Sequence, residues 1–402
     1  SHVFKQAAAT SLPGITVVEF EDGQKSKFHN YWLRDHCKCE KCVHPVTYQR
    51  IIDPLEFEVD ISPSKSTVSD GSLVVEWDNG AHKSVFPLAW LKKHSYDQKF
   101  TSTQQPKLKL WGSELENKIP SVPYDKVMNT DEGLFEWLQN ISIYGLCAVS
   151  GVPPNGNVLF LFDSFFYYLY TCDTRKVLER IGPIRETHYG GFWEFTSGFE
   201  HGDLAYSTVN LPAHTDNTYY TDPAGLQLFH LLAMKGKGGE QVYVDGFNVA
   251  KQLKDLYPEA YETLSNLGTW ANQAGDNEVF LRPSPGPYSV LNHDKAGNLF
   301  QVRYNNEDRS IINNLSFEEV PKYYSAIRKW MKLVRDPKNE LIVPLKPGYL
   351  IALDNWRVMH ARKEYSGSRT LSGGYIDRDY WTSKLRVLDG RVRGVDSRNE
   401  IL

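Results

Sequence analysis

The sequence predicts a mainly β protein with flanking helices: a double-sheet β-barrel or jelly roll, preceded by a small N-terminal β domain. Three observations carry that prediction. Short, β-rich apolar runs recur along the chain while long helical patterns are few, which suits packed sheets with helices outside them. Aromatic residues make up 13% of the chain, with 23 tyrosines and 10 tryptophans, as expected of a β-rich core or an aromatic-lined pocket. A polar stretch from about 94 to 107 (Ser95, Gln98, Thr101 to Gln105, Pro106) parts two sets of strands. The expected domains are therefore 1–105 and 106–402.

Residues 15–20 and 28–33 are strand-like, and after a cysteine-rich loop so are the runs near 73–77 and 83–87. Thr130 to Asn140 carries Leu134, Trp137 and Leu138 on one helical face. Ile143 to Val149 then reads as a buried strand, and Gly246 to Tyr257 as an amphipathic helix. Ser316-Phe-Glu-Glu319 is a capping box that opens a helix running to about Arg335. Tyr349-Leu-Ile-Ala-Leu-Asp354 is short, apolar and β-rich enough to be a buried strand. The dense aromatic run Asn157 to Cys172 has no helical period and is too broken to span a bilayer comfortably. A core strand pair, an interface patch and an insertion are all open readings of it.

With 402 residues the chain is long enough for a large domain and a smaller one. Its net charge of −4, from 45 basic and 49 acidic residues, creates no field that favours nucleic acid or an anionic membrane. Nothing at the amino end reads as a signal or transit peptide, and a cytoplasmic or mitochondrial compartment is expected. A homodimer is the expectation for assembly.

His214-Thr215-Asp216, answered downstream by His360 and then Arg369, points to chemistry. Two histidines and a carboxylate on one face leave open positions on iron(II), the facial triad of non-haem oxygenases. An arginine suits the far carboxylate of 2-oxoglutarate, because its planar fork binds a carboxylate bidentately. Roughly one His-x-Asp triplet is expected by chance in such a chain, and a second does occur, His201-Gly202-Asp203. Context favours the first. His360 follows the apolar strand closely, and Ser366-Gly367-Ser368 reads as a turn that would place His360 and Arg369 on neighbouring antiparallel strands.

Five cysteines, three of them in Cys37-Lys-Cys39-Glu-Lys-Cys42, do not suggest a secreted disulfide framework. Three thiolates at such spacings readily share zinc, which wants a fourth ligand. His36, His44, His82 and His94 are the candidates, and a domain this small has use for a metal staple.

Further stretches carry a resemblance: Tyr31-Trp-Leu-Arg-Asp-His-Cys37, Trp90-Leu-Lys-Lys93, Arg185-Glu-Thr-His-Tyr189, Val244-Asp-Gly-Phe247, Arg303-Tyr-Asn-Asn306 and Asp354-Asn-Trp-Arg357. With His214-Thr-Asp216 they cover nearly the whole chain in order, and they resemble the family of 2-oxoglutarate oxygenases that contains γ-butyrobetaine dioxygenase and trimethyllysine dioxygenase. The aromatic run at 157–172 has no counterpart in that pattern. The resemblance implies a double-stranded β-helix (jelly-roll) oxygenase core after a zinc-binding β domain. It implies His214, Asp216 and His360 as iron ligands, Arg369 as the anchor of 2-oxoglutarate, and Cys37, Cys39, Cys42 and His82 as the zinc site. Tyr189, Trp193, Tyr206 and Tyr375 match an aromatic box for a trimethylammonium group, which has no N–H to donate and is recognised by π-faces. Fe(II), 2-oxoglutarate, ascorbate and structural Zn(II) are the implied cofactors, with O2 and a small substrate as partners. One departure stands out. A Thr or Ser often follows the Gly-Gly pair after the triad, whereas here Gly238-Gly239-Glu240 leads to Gln241.

Within the family, Asp203 and Asn305 fall at the polar end of the substrate. A carboxylate there attracts the α-ammonium of trimethyllysine and repels the lone carboxylate of γ-butyrobetaine. The expected activity is C3 hydroxylation of trimethyllysine, the first step of carnitine biosynthesis. γ-Butyrobetaine hydroxylation is the alternative, and a non-catalytic trimethylammonium-binding module the second.

Overall fold

A computed structural model describes residues 7–97, 107–156, 158–162, 165–169, 172–196, 208–276 and 278–394. Backbone contacts divide the chain into two compact units, parting between 105 and 106.

The first unit is built on two antiparallel three-stranded sheets. One runs Ala8–Leu12, Ile15–Glu19, Lys25–His29; the other runs Lys65–Ser69, Ser72–Trp77, His82–Pro87. Alternate residues of these strands (Val18, Phe28, Leu73, Val75, Trp77, Phe86) form one buried cluster with Leu33 and Leu91 from two short helices. One of those helices, Asn30–Asp35, corrects the strand expected over 28–33. The strand ends at His29, because Asn30 is buried and held by Thr16 Oγ1 at 2.8 Å, and Leu33 must turn into the cluster.

The second unit is a jelly roll. Its six-stranded sheet orders Trp193–Thr196, Tyr365–Ile376, Leu226–Gly238, Tyr349–Asp354, Leu146–Ser150, Ser121–Pro123, and its four-stranded sheet orders Leu211–His214, Val358–Arg362, Gln241–Asp245, Leu341–Val343. Inward residues of both sheets (Phe229, Leu353, Ala148, Tyr243, Val358) share one buried cluster. Outward residues of the six-stranded sheet pack on helices Asp131–Tyr144, Asp173–Ile181 and Arg378–Arg393. Those of the four-stranded sheet pack on Gly246–Leu256, Pro258–Asn266 and Glu319–Val334. Each fully buried Leu, Val or Phe in these three clusters stabilises the unit by about 1.5–3 kcal/mol relative to leaving it exposed.

The helix expected from Thr130 continues to Tyr144 and consumes the start of the strand expected at Ile143. Gly145 ends it with a left-handed φ of 80°, and Leu146 begins the strand. In the capping box, Glu319 N donates to Ser316 Oγ at 3.2 Å and Ser316 N to Glu319 Oε2 at 2.8 Å. Val158–Phe162 and Phe165–Leu169 form an antiparallel pair of their own. Among the described residues no helix is long and apolar enough to cross a membrane.

Candidate active site

His214 ends one strand of the four-stranded sheet, and His360 sits opposite it on the next. Directly opposed residues of an antiparallel pair share a face, so both imidazoles enter the space between the sheets. Asp216 arrives from the loop beyond His214, which Asn217 turns with a left-handed φ of 61°. Its backbone is clamped: Asp216 N donates to Asn355 Oδ1 at 2.7 Å, and Asn355 Nδ2 returns a bond to Asp216 O at 3.0 Å. Arg303 caps the same loop by donating to the carbonyls of Thr218, at 2.7 Å, and of Tyr220.

One ligand atom from each of His214, Asp216 and His360 lies within 4.8 Å of the others. His214 Nδ1 donates to the Pro212 carbonyl at 2.8 Å, which directs Nε2 toward Asp216 Oδ1, 3.2 Å away. His360 Nε2 is 3.6 Å from the same oxygen. The other oxygen, Oδ2, accepts from Tyr375 Oη at 2.7 Å and from Gln227 Nε2. Oδ1 alone therefore turns to the histidines. Burial pushes the Asp216 carboxyl up, but the two histidines win and hold it well below the usual carboxylate range. Burial also pulls His214 down, and its contact with Asp216 outweighs that to bring it up to about 9. His360, dominated by burial, falls to about 3. Two imidazole nitrogens and one carboxylate oxygen converging on one point suit iron(II).

Arg369 reaches the same cavity by a route the sequence did not indicate. Ser366-Gly367-Ser368 is not a turn: it lies within Tyr365–Ile376 and pairs with Lys235-Gly236-Lys237. His360 and Arg369 are therefore on different sheets, not on neighbouring strands. Both still line one cavity of about 150 Å³. Burial, reinforced by the nearby charge of Arg362, brings the Arg369 guanidinium down to about 10, and an anion in the cavity would relieve that cost. Gln241 lines the cavity too. With its amide oxygen toward Arg369 it accepts from Nη2 at 2.6 Å, and its nitrogen donates to the Ala361 carbonyl at 3.0 Å.

Tyr189, Trp193, Asn305 and Tyr375 also line this cavity. The Trp193 ring lies across Gly373, its cross-strand partner, where a Cβ would come within 2.4 Å of the indole. Only a glycine there leaves the ring its position. The Asn305 amide is braced at both ends, donating to Asp308 Oδ2 at 2.9 Å and accepting from Glu307 N at 3.0 Å. Asp203 and Tyr206, like His201, lie outside the described residues. Sequence reasoning missed Tyr219, Phe229 and Gln227 as cavity residues. Gln227 was detectable as one of two polar residues, with His230, in the otherwise apolar run Leu226 to Leu232.

In the first unit Cys37, Cys39, Cys42 and His82 converge. Their Sγ atoms stand 3.3, 3.8 and 3.6 Å from His82 Nε2. A tetrahedral zinc with ordinary bond lengths requires an S–N separation of roughly 3.5 Å. His36 and His94 instead stack on Trp32 and Trp90, and His44 Nδ1 accepts from the amides of Val46 and Thr47.

Comparison with known proteins agrees along the chain. The profile of the Taurine catabolism dioxygenase TauD, TfdA family matches residues 101–375, and that of Gamma-butyrobetaine hydroxylase-like, N-terminal matches 14–92. A trimethyllysine dioxygenase of Meyerozyma guilliermondii is 36% identical, covering 96% of this chain and 97% of its own. A mitochondrial trimethyllysine dioxygenase of Gallus gallus is 38% identical over 90% of this chain and 83% of its own. A gamma-butyrobetaine dioxygenase of Pseudomonas sp. is 31% identical over 95% and 96%.

Proposed function

The chain belongs to the TauD/TfdA family of dioxygenases, and on that premise we propose that it hydroxylates trimethyllysine at C3, using iron(II), 2-oxoglutarate and O2. The observation that carries the reading is one cavity in which two histidines, a carboxylate, a buried arginine and an aromatic wall meet. Identity of 36% and 38% to trimethyllysine dioxygenases over at least 90% of the chain supports the choice of substrate.

In this reading His214, Asp216 and His360 hold the iron on one face. When bound, the metal activates O2 and couples decarboxylation of the keto acid to hydroxylation of a C–H bond. The chain's own residues supply position and charge. Tyr375 and Gln227 keep Asp216 to a single inward oxygen. Arg369 grips the far carboxylate of 2-oxoglutarate, and Gln241 aligns it. Tyr189 and Trp193, with Tyr219 beside them, face the trimethylammonium group. Asp203 and the braced Asn305 read the amino-acid end.

A substrate panel tests this. Succinate release with Fe(II) and ascorbate should be supported by free trimethyllysine and give a product with one added oxygen, with γ-butyrobetaine the weaker substrate. Trp193→Ala should impair both, because both carry the trimethylammonium group, by about a factor of five to thirty if one cation–π face is worth 1–2 kcal/mol. A better rate with γ-butyrobetaine would move the assignment to that hydroxylase. Binding of trimethyllysine without succinate from either compound would make the chain a binding module.

We also propose structural zinc at Cys37, Cys39, Cys42 and His82, supported by the fit of the S–N distances. Cys42→Ser should release zinc and lower the melting temperature of the first unit, while the second keeps its iron site. Stable protein free of zinc by elemental analysis would overturn this. Of the two expected compartments, the mitochondrial one is supported by the name of the Gallus gallus relative.

A further inference from the structure

The stretch Tyr31-Trp-Leu-Arg-Asp-His-Cys37 marks the family resemblance, yet only Cys37 of it has a part in the sites above. Within it the helix Asn30–Asp35 carries Tyr31 and Arg34, three residues apart and so on one face. Both meet Phe57. The Tyr31 ring lies 4.8 Å from it, centroid to centroid, and the Arg34 guanidinium carbon 5.2 Å from its centre. Phe57 in turn packs on the cluster of Cys37, Cys42 and Ile52. Held in this way, Arg34 Nη1 donates to Cys42 Sγ at 3.4 Å. The backbone ties Arg34 to the first cysteine as well, since Cys37 N donates to the Arg34 carbonyl at 3.4 Å. Among the described residues Arg34 forms no ion pair with a carboxylate.

The charge of the site gives this contact a purpose. Zinc(II) bound by three thiolates and a neutral imidazole carries one net negative charge. Cys37 and Cys42 are buried, and charge held away from water is costly unless a counter-charge meets it. A guanidinium N–H directed at a ligating thiolate supplies that charge, in a bond stronger than one between neutral groups. It also draws electron density from the sulfur, which makes the thiolate a poorer target for protons and electrophiles. Lys41 stands in the same loop, but it is exposed, where solvent screening leaves little of its effect.

We propose that Arg34 is a positioning residue of the zinc site: its guanidinium donates to the Cys42 thiolate and compensates the excess negative charge of the bound metal. The inference rests on the reading of Cys37, Cys39, Cys42 and His82 as a zinc site.

The test is zinc affinity by chelator competition in the intact protein, for wild type, Arg34→Met, Arg34→Lys and Lys41→Gln. Arg34→Met keeps an unbranched chain against Phe57 and removes the charge; its dissociation constant for zinc should rise about 10–100-fold, the usual effect of losing a group that supports a metal ligand. Arg34→Lys keeps the charge and guards against a variant that fails to fold. It should hold zinc more tightly than Arg34→Met and less tightly than wild type, and Lys41→Gln should match wild type. Cobalt(II) in place of zinc supplies a readout that packing alone does not move. Its thiolate-to-metal charge-transfer band should shift to longer wavelength in Arg34→Met, because a sulfur without its donor gives up electrons more easily; cobalt at the iron ligands has no sulfur and no such band. Wild-type zinc affinity in Arg34→Met would overturn the assignment. Weaker zinc with an unshifted cobalt band would also overturn it, since Arg34 would then act only by packing on Phe57. So would Arg34→Lys no better than Arg34→Met, or Lys41→Gln as weak as either. Wild type that holds no zinc and shows no thiolate band with cobalt would overturn the zinc reading itself, and this inference with it.

Discussion

Alanine at His214, Asp216 or His360 is expected to abolish succinate formation and the retention of iron, with the fold intact. Each substitution removes one of three converging ligand atoms, and no other His, Cys, Asp or Glu among the described residues joins that group to replace it. Asp216→Ala also takes away the one oxygen that both imidazoles face. The residues behind the ligands should matter less. Asn355→Ala unclamps the Asp216 backbone without removing a ligand, and loss of such support typically costs about 10–100-fold in metal affinity or activity. Turnover assays and metal content on the same preparations separate these cases. Near-normal hydroxylation by Asp216→Ala would sink the assignment, and an Asn355→Ala enzyme as dead as the ligand variants would mean that the clamp holds the loop itself together.

Legibility followed the range of the interactions concerned. The capping box at Ser316 and the strand at Tyr349–Asp354 depend on residues a few positions apart, and both were readable. Ser366-Gly367-Ser368 was misread because its glycine answers a distant partner. A Cβ on Gly367 would come within 1.9 Å of the Lys235 carbonyl, so the glycine permits two strands to close, not a chain to turn. Likewise Asn30 to Leu33 has strand-like composition, and only the contact with Thr16 shows that it coils. In the candidate site, His214, Asp216, His360 and Arg369 were visible as residue types that iron and a keto acid require. Tyr219 and Gln227 belong to no motif: sheet register brings Gln227 into the site and the turn after His214 brings Tyr219, and a single sequence displays neither.

Arg357→Leu is expected to destabilise the second unit strongly. Arg357 and Asp245 are 2% and 1% exposed and form a two-pronged pair, Nε to Oδ1 at 3.0 Å and Nη2 to Oδ2 at 2.8 Å. Arg357 also donates to the carbonyls of Ile143 and Lys109, at 2.8 and 2.6 Å. Asp245 caps the helix Gly246–Leu256 through Phe247 N and Asn248 N and accepts from Trp111 N at 3.2 Å. The pair thus joins two of the sequence stretches that marked the family, Val244-Asp-Gly-Phe247 and Asp354-Asn-Trp-Arg357, the second of which also clamps the Asp216 backbone through Asn355. Its net worth against an apolar replacement of both partners is small, because burying two charges costs nearly what their attraction returns. Removing one partner is different. It leaves the Asp245 carboxylate buried beside the orphaned carbonyls, at a cost of about 3–5 kcal/mol, a fall in melting temperature on the order of 10 °C for a unit of this size. Asp245→Leu should cost a similar amount, and the double variant less than the sum of the two, since no charge then stays uncompensated. Whatever fraction of the Arg357→Leu protein remains folded should keep a near-normal KM for 2-oxoglutarate. A single variant that melts like wild type, or strict additivity in the double, would show that the two side chains are not coupled and that something else holds the helix to the sheet.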